Sequence, residues 1–164
     1  MNHRHDRIVL GIGNPNRGDD AAGPIAARLL RDLLSEGAGT AYEHGVKVIE
    51  HDGEAASLLT ALDGVSEAFM IDACVSGGPS GMIQRFDVSN KTLPQGRFGL
   101  STHNLGLADV IELGRALGQL PSRCIIYAIE GSMFEDDAPL SPEVAAAVGE
   151  VVSRLRSEIL GLSL

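Results

Sequence analysis

The sequence predicts an α/β fold, a three-layer α/β/α sandwich around a mostly parallel, mixed central sheet of about five strands. Three observations predict it. Short apolar runs alternate with amphipathic helical stretches along the whole chain, the pattern of parallel strands joined by crossover helices. Several of those runs are continuous rather than alternating, as in strands buried on both faces. Alanine and glycine are abundant, aromatics scarce and tryptophan absent, a composition that suits close packing of helix on sheet.

The elements follow in order. Ile8 to Ile12 is a first buried strand, ending in a Gly/Asn/Pro turn that carries Asp19 and Asp20. A helix follows with Ala26, Leu29, Leu30 and Leu33 at helical spacing. Pro24 fits its first position, with Gly23 as the cap. Val46 to Glu50 is a second strand, and Ala55 to Leu62 a short helix. Ala68 to Ile71 is a third strand, ending at Asp72-Ala73-Cys74. Met82 to Val88 alternates apolar and polar residues and reads as a peripheral strand. Ser101-Thr102-His103 opens a helix whose inner face holds Leu107, Val110, Ile111, Gly114 and Leu117. Cys124 to Ile129 is the last strand. Ser141, followed by Pro142, caps the last helix. No repeat or linker divides the chain, so residues 1–164 form one domain.

Charge and composition exclude several classes. A net charge of −9 opposes nucleic acid and anionic membrane surfaces. No apolar run is long enough to span a bilayer, and the polar start of the chain is unlike a signal peptide. Cys74 and Cys124 form neither a disulfide framework nor a CxxC pair. The expected compartment is the cytoplasm.

The loop after the first strand invites a phosphate reading, which its chemistry opposes. Gly11 and Gly13 start a G-x-G-x-x-G fingerprint, but Asn16 stands at its third glycine. Asp19 and Asp20 would repel a phosphate at the helix start, and no Walker lysine is present. A non-catalytic nucleotide- or anion-binding module is thus the weaker reading. Metal binding is the stronger. Asp20 follows the first strand, Asp72 ends the third and His103 opens a helix. In a parallel sheet, strand ends and helix starts share the edge where ligands bind. Two carboxylates and an imidazole suit a borderline divalent cation such as nickel, zinc or cadmium.

Each residue also has a structural reading. Asp20 is a candidate helix cap, Asp72 a turn former and His103 a first-turn residue. Cys74 is a small core residue or a soft ligand. His44 and His51 read as surface residues, and Glu135-Asp136-Asp137 as a solvated loop. Asp19 and Asp52 are second candidates for orienting a ligand or a water. No convincing Ser/His/Asp or Cys/His nucleophilic set stands out, although Ser101 and Cys74 lie near the proposed ligands.

Four segments resemble one family, the maturation endopeptidases of [NiFe] hydrogenases. They are Val9–Asn14 running on through Gly18-Asp19-Asp20 and Gly23-Pro24; Ile71-Asp72-Ala73; Thr102–Leu107; and Tyr127–Glu130 followed by Leu140–Val144. The resemblance implies that Asp20, Asp72 and His103 are the metal-binding and catalytic positions. It implies as partner the precursor of the hydrogenase large subunit, whose C-terminal extension is removed. Nickel would be carried by that precursor, and zinc or cadmium could substitute in a crystal. A homologue that binds precursor without cutting it is the alternative within the family. The chain departs from the pattern at Ala21, at Asp52-Gly53-Glu54-Ala55 and at Gly131.

Overall fold

The computed structural model describes residues 6–36, 45–94 and 106–162. The expected sandwich is present. Strands β1 (Arg7–Ile12), β2 (Val46–His51), β3 (Glu67–Cys74), β4 (Ile83–Asp87) and β5 (Arg123–Glu130) form one sheet in the order β2-β1-β3-β5-β4. All neighbours are parallel except β4, which pairs antiparallel with β5 at one edge. Helices are α1 (Ala22–Glu36), α2 (Ala55–Leu62), α3 (Leu107–Ala116) and α4 (Pro142–Leu160).

Two apolar layers hold the helices to the sheet. On one face α1 and α4 pack over Val9, Phe69, Ile71, Ile125, Tyr127 and Ile129. On the other, α2 and α3 pack over Ile8, Leu10, Met70, Cys124, Ile126 and Ala128. The alternation 69/70 and 125/126 between the layers is the period of two of a strand buried on both sides. Burying each Leu, Ile or Phe contributes about 1.5–3 kcal/mol. Glu158 of α4 accepts hydrogen bonds from Tyr127, Arg85 and Arg123, which pins that helix across β4 and β5.

Several local expectations shift. The buried stripe of α1 is Ala22, Ala26, Ala27, Leu30 and Leu34, whereas Leu29 and Leu33 are 43% and 40% exposed. The small residues lie against the sheet, and the larger ones at 29 and 33 turn outwards. A 3-10 turn over Gly18–Ala21 precedes α1, so the helix begins at Ala22 rather than Pro24. Pro24 then sits third, where its missing N–H is one of the four that lack an intrahelical partner. Leu117 is 58% exposed, since α3 has already ended. That helix also starts later than expected, at Leu107, because Gly106 is extended as its N-cap. The start at Ser101-Thr102-His103 is therefore not that of α3. Ser101 and His103 fall in 95–105 and His44 in 37–44, outside the described residues.

Candidate metal-facing site at the carboxyl edge

The chain leaves β1 to build β2 on one side and then β3 on the other. The strand order reverses between β1 and β3, and the carboxyl ends of such strands are the usual ligand site of these sheets. Asp20 follows β1 and Asp72 lies near the end of β3 at this switch point.

Backbone proximity fixes Asp20. The 3-10 turn lies directly on the strand ends. A Cβ at Gly13, whose φ is +143°, would run into the Asp20 carbonyl, and one at Gly23 into the carbonyls of Ile12 and Ile71. The glycines thus let the chain fold onto itself. The space that a phosphate loop leaves for its ligand is occupied here by residues 20 and 23.

Asp20 is only 7% exposed. Its Oδ2 accepts the Asn14 N–H at 3.0 Å, and its own N–H donates to the Arg17 carbonyl. It therefore braces the loop rather than capping α1. Burial pushes its carboxyl up, opposed by the Asn14 N–H and the Arg17 charge. Asp72 is half-buried near the end of β3, paired in register with Ala128. Burial and the charge of Asp20 push its carboxyl well above the ordinary range, while the Ala73 N–H pulls weakly the other way. The Asp20 charge opposes ionisation of Asp72, and a cation beside the two would relieve it. Their number and type fit a divalent ion with positions left for other donors. His103 lies outside the described residues, among which no group of three His, Cys, Asp or Glu side chains could hold a metal.

Asp19 behaves oppositely to its neighbour. It is fully buried. Its Oδ2 accepts the N–H groups of Ser132 and Met133 at 2.8 and 2.9 Å, and its Oδ1 that of Ser141 at 2.8 Å. The Ser141 hydroxyl donates to the same carboxylate at 3.0 Å. Burial alone would raise the Asp19 carboxyl, but these donors outweigh it and hold it below the usual range. Asp19 thus ties the loop after β5 to the loop after β1. Ser141 stands at the N-cap of α4 as expected, yet its side chain makes no cap bond to the helix. Asp52 is 74% exposed and closes a turn onto the Glu54 N–H.

Two further groups were not assigned these roles from the sequence. Glu130, 2% exposed at the end of β5, accepts from the Ser76 hydroxyl at 2.7 Å, the Ser76 and Gly77 N–H groups and the Cys74 thiol. Burial would raise its carboxyl, and these bonds reverse the shift. It anchors the β3–β4 loop and places Cys74 in the core. The signal was available, since Glu130 ends an apolar parallel strand as Asp72 nearly does.

The second group is His51, at the carboxyl end of β2. Its side chain is 10% exposed, which corrects the surface reading. Its Nε2 lies 2.9 Å from Ser57 Oγ, and its Nδ1 3.7 Å from Asp52. This resembles a Ser-His-Asp set, but the Gly53 N–H donates to Nδ1 at 2.9 Å. A ring that accepts at Nδ1 carries its proton on Nε2, so it cannot take one from Ser57. The Ser57 hydroxyl instead donates to the Glu54 carbonyl, and the group is structural.

A profile of the hydrogenase maturation protease family (HycI) matches residues 34–158. The chain belongs to the hydrogenase maturation protease family. The fold agrees. The [NiFe] hydrogenase maturation protease HybD from Thermococcus kodakarensis superposes with a TM-score of 0.68 at 24% identity, over 93% of this chain and 98% of that one. The hydrogenase maturating endopeptidase HybD from E. coli gives 0.66 at 24% identity, over 93% of each chain. An endopeptidase from Escherichia coli solved in solution gives 0.72 at 22% identity, over 96% and 95%. Among curated proteins, none matches. Membership makes the chain a protease, and no helix among the described residues is long and apolar enough to cross a membrane.

Proposed function

We propose that this protein is a cytoplasmic endopeptidase that recognises nickel in the precursor of a [NiFe] hydrogenase large subunit and removes the C-terminal extension. Asp20, Asp72 and His103 are the residues that face the metal. Nickel belongs to the substrate in this reading.

The observation that supports it is the placement of two carboxylates, Asp20 just after β1 and Asp72 near the end of β3, at the switch point of a chain of the protease family. A divalent cation entering there relieves the repulsion, so nickel-loaded precursor is favoured over empty precursor. Topology supports His103 as the third donor. Asp72 shares its sheet face with Met70 and Cys74, the face that α3 covers. Shortly after α3 ends, β5 begins at the amino edge, beside Glu67. That helix therefore runs down the sheet, with its start towards the carboxyl edge. The chain passes His103 just before that start.

Two roles of the site follow from its geometry. Docking the substrate's metal on fixed carboxylates positions the bond to be cut. The metal, when bound, also polarises a carbonyl or a water. The test is His103→Ala with nickel-loaded precursor. Processing should be abolished while circular dichroism and Tm stay at wild-type values. Full processing by the variant would sink metal recognition through His103. Stoichiometric binding of precursor by the wild type without cleavage would identify a maturation chaperone instead.

A further inference from the structure

Beside Asp20 the surface opens into a groove of about 470 Å³ lined by Asn14, Arg17, Phe134, Glu135 and Asp136. One wall is the loop after β1 and the other the loop after β5. Three ties hold the walls together: the Asp19 clamp described above, the Arg17 Nε donating to the Phe134 carbonyl at 3.1 Å, and the Asp137 N–H donating to the Asn16 carbonyl at 2.7 Å. The groove is thus shaped before a ligand arrives, which lowers the cost of binding.

Its place relative to the site is fixed by Asn14 and Arg17, which line it and also bond to Asp20. These bonds place the groove directly beside Asp20. A substrate whose metal docks at Asp20 and whose cut lies just beyond that metal brings its remaining chain past this residue, where the groove opens.

We propose that this groove is the subsite for the C-terminal extension of the precursor, with the Arg17 guanidinium donating to a backbone carbonyl of the extension and the Phe134 ring packing on it. The assignment rests on the endopeptidase reading above. Arg17 Nε–H is committed to the Phe134 carbonyl, so the donor to the extension is a terminal nitrogen of the same planar guanidinium, a match for a carbonyl of an extended peptide. Glu135 and Asp136 at the rim are exposed and set the groove against an acidic segment.

The experiment compares two nickel-loaded precursors, one with its full extension and one cut back to a single residue beyond the cleaved bond. Steady-state kinetics are measured for wild type, Arg17→Ala, Arg17→Lys and Phe134→Ala, with Tm recorded for each. Wild type should favour the long substrate by about tenfold in kcat/KM, through KM. Arg17→Ala and Phe134→Ala should each lose more on the long substrate than on the short one, and erase most of that preference. Arg17→Lys should restore part of it. Equal losses on both substrates would show that Arg17 only ties the loops together, and would overturn the subsite. So would a wild-type enzyme indifferent to extension length, a comparison that needs no variant to fold. Failure of wild type to cut either precursor would overturn the endopeptidase reading itself, and the subsite with it.

Discussion

Removing the Asp19 carboxylate should cost more stability than its place in a four-residue turn implies. In Asp19→Ala the N–H groups of Ser132, Met133 and Ser141 lose their acceptor together. Each buried donor left unpaired costs about 1–3 kcal/mol. The three share one acceptor and are not additive, so about 3–5 kcal/mol is the expected total. For a chain of this length that corresponds to a fall in Tm of roughly 6–20 °C. Asp19→Asn is the informative control. An amide has one acceptor oxygen, and it can serve either Ser141 or the Ser132–Met133 pair, so the expected loss is about half as large. Guanidinium unfolding gives the free energies, and amide exchange at Ser132, Met133 and Ser141 localises the effect. The pH dependence has a definite sign. The folded Asp19 carboxyl lies below its unfolded value of 3.8, so its contribution is complete above that value and is lost as pH falls through the folded one. A loss below about 0.5 kcal/mol for the alanine variant, the scatter of ordinary surface substitutions, would refute the clamp.

Two other perturbations test the edge of the sheet. Asp72→Asn should abolish processing yet raise Tm at pH 7, because a carboxyl whose folded pKa is raised destabilises the fold when ionised. The gap from wild type should close as pH falls towards 4, and Tm curves that stay parallel from pH 7 to 4 would contradict this account. Gly13→Ala should be severely destabilising, by about 2–4 kcal/mol, since it meets both a positive φ and the Asp20 backbone; a wild-type urea midpoint would argue against the close approach.

Much of this was legible in the residues, for identifiable reasons. The apolar runs at Val9, Phe69 and Ile125 read as strands because both faces of a central parallel strand are buried and because the runs are too short for a buried helix. The inner face of α3 was legible at Leu107, Val110, Ile111 and Gly114, whereas that of α1 was partly misjudged. Helical spacing alone cannot say which of two adjacent apolar stripes turns inwards, and at Leu29 and Leu33 the alanines lie against the sheet instead. Asp20 and Asp72 could be placed at one edge because topology forces strand ends together. The division of labour between Asp19 and Asp20 could not, because it depends on which carboxylate faces the Ser132–Ser141 loop, a contact across more than a hundred residues. Glu130 and His51 were passed over for the same reason, since their partners are loop amides that carry no sequence signature.

The Asp19 clamp has a consequence for how such an enzyme could change its substrate. Asp20 and Asp72 lie just after β1 and near the end of β3, in the middle of the sheet, whereas the outer wall of the groove is tied on mostly through its backbone groups, to the Asp19 carboxylate, the Arg17 guanidinium and the Asn16 carbonyl. Backbone donors are supplied by every residue except proline. The segment between Ser132 and Ser141 can therefore be rewritten in length and chemistry while its two ends keep docking on the same carboxylate. In the proposed function, recognition of the metal and recognition of the peptide would be mechanically separable, with a fixed anchor beside an exchangeable cassette.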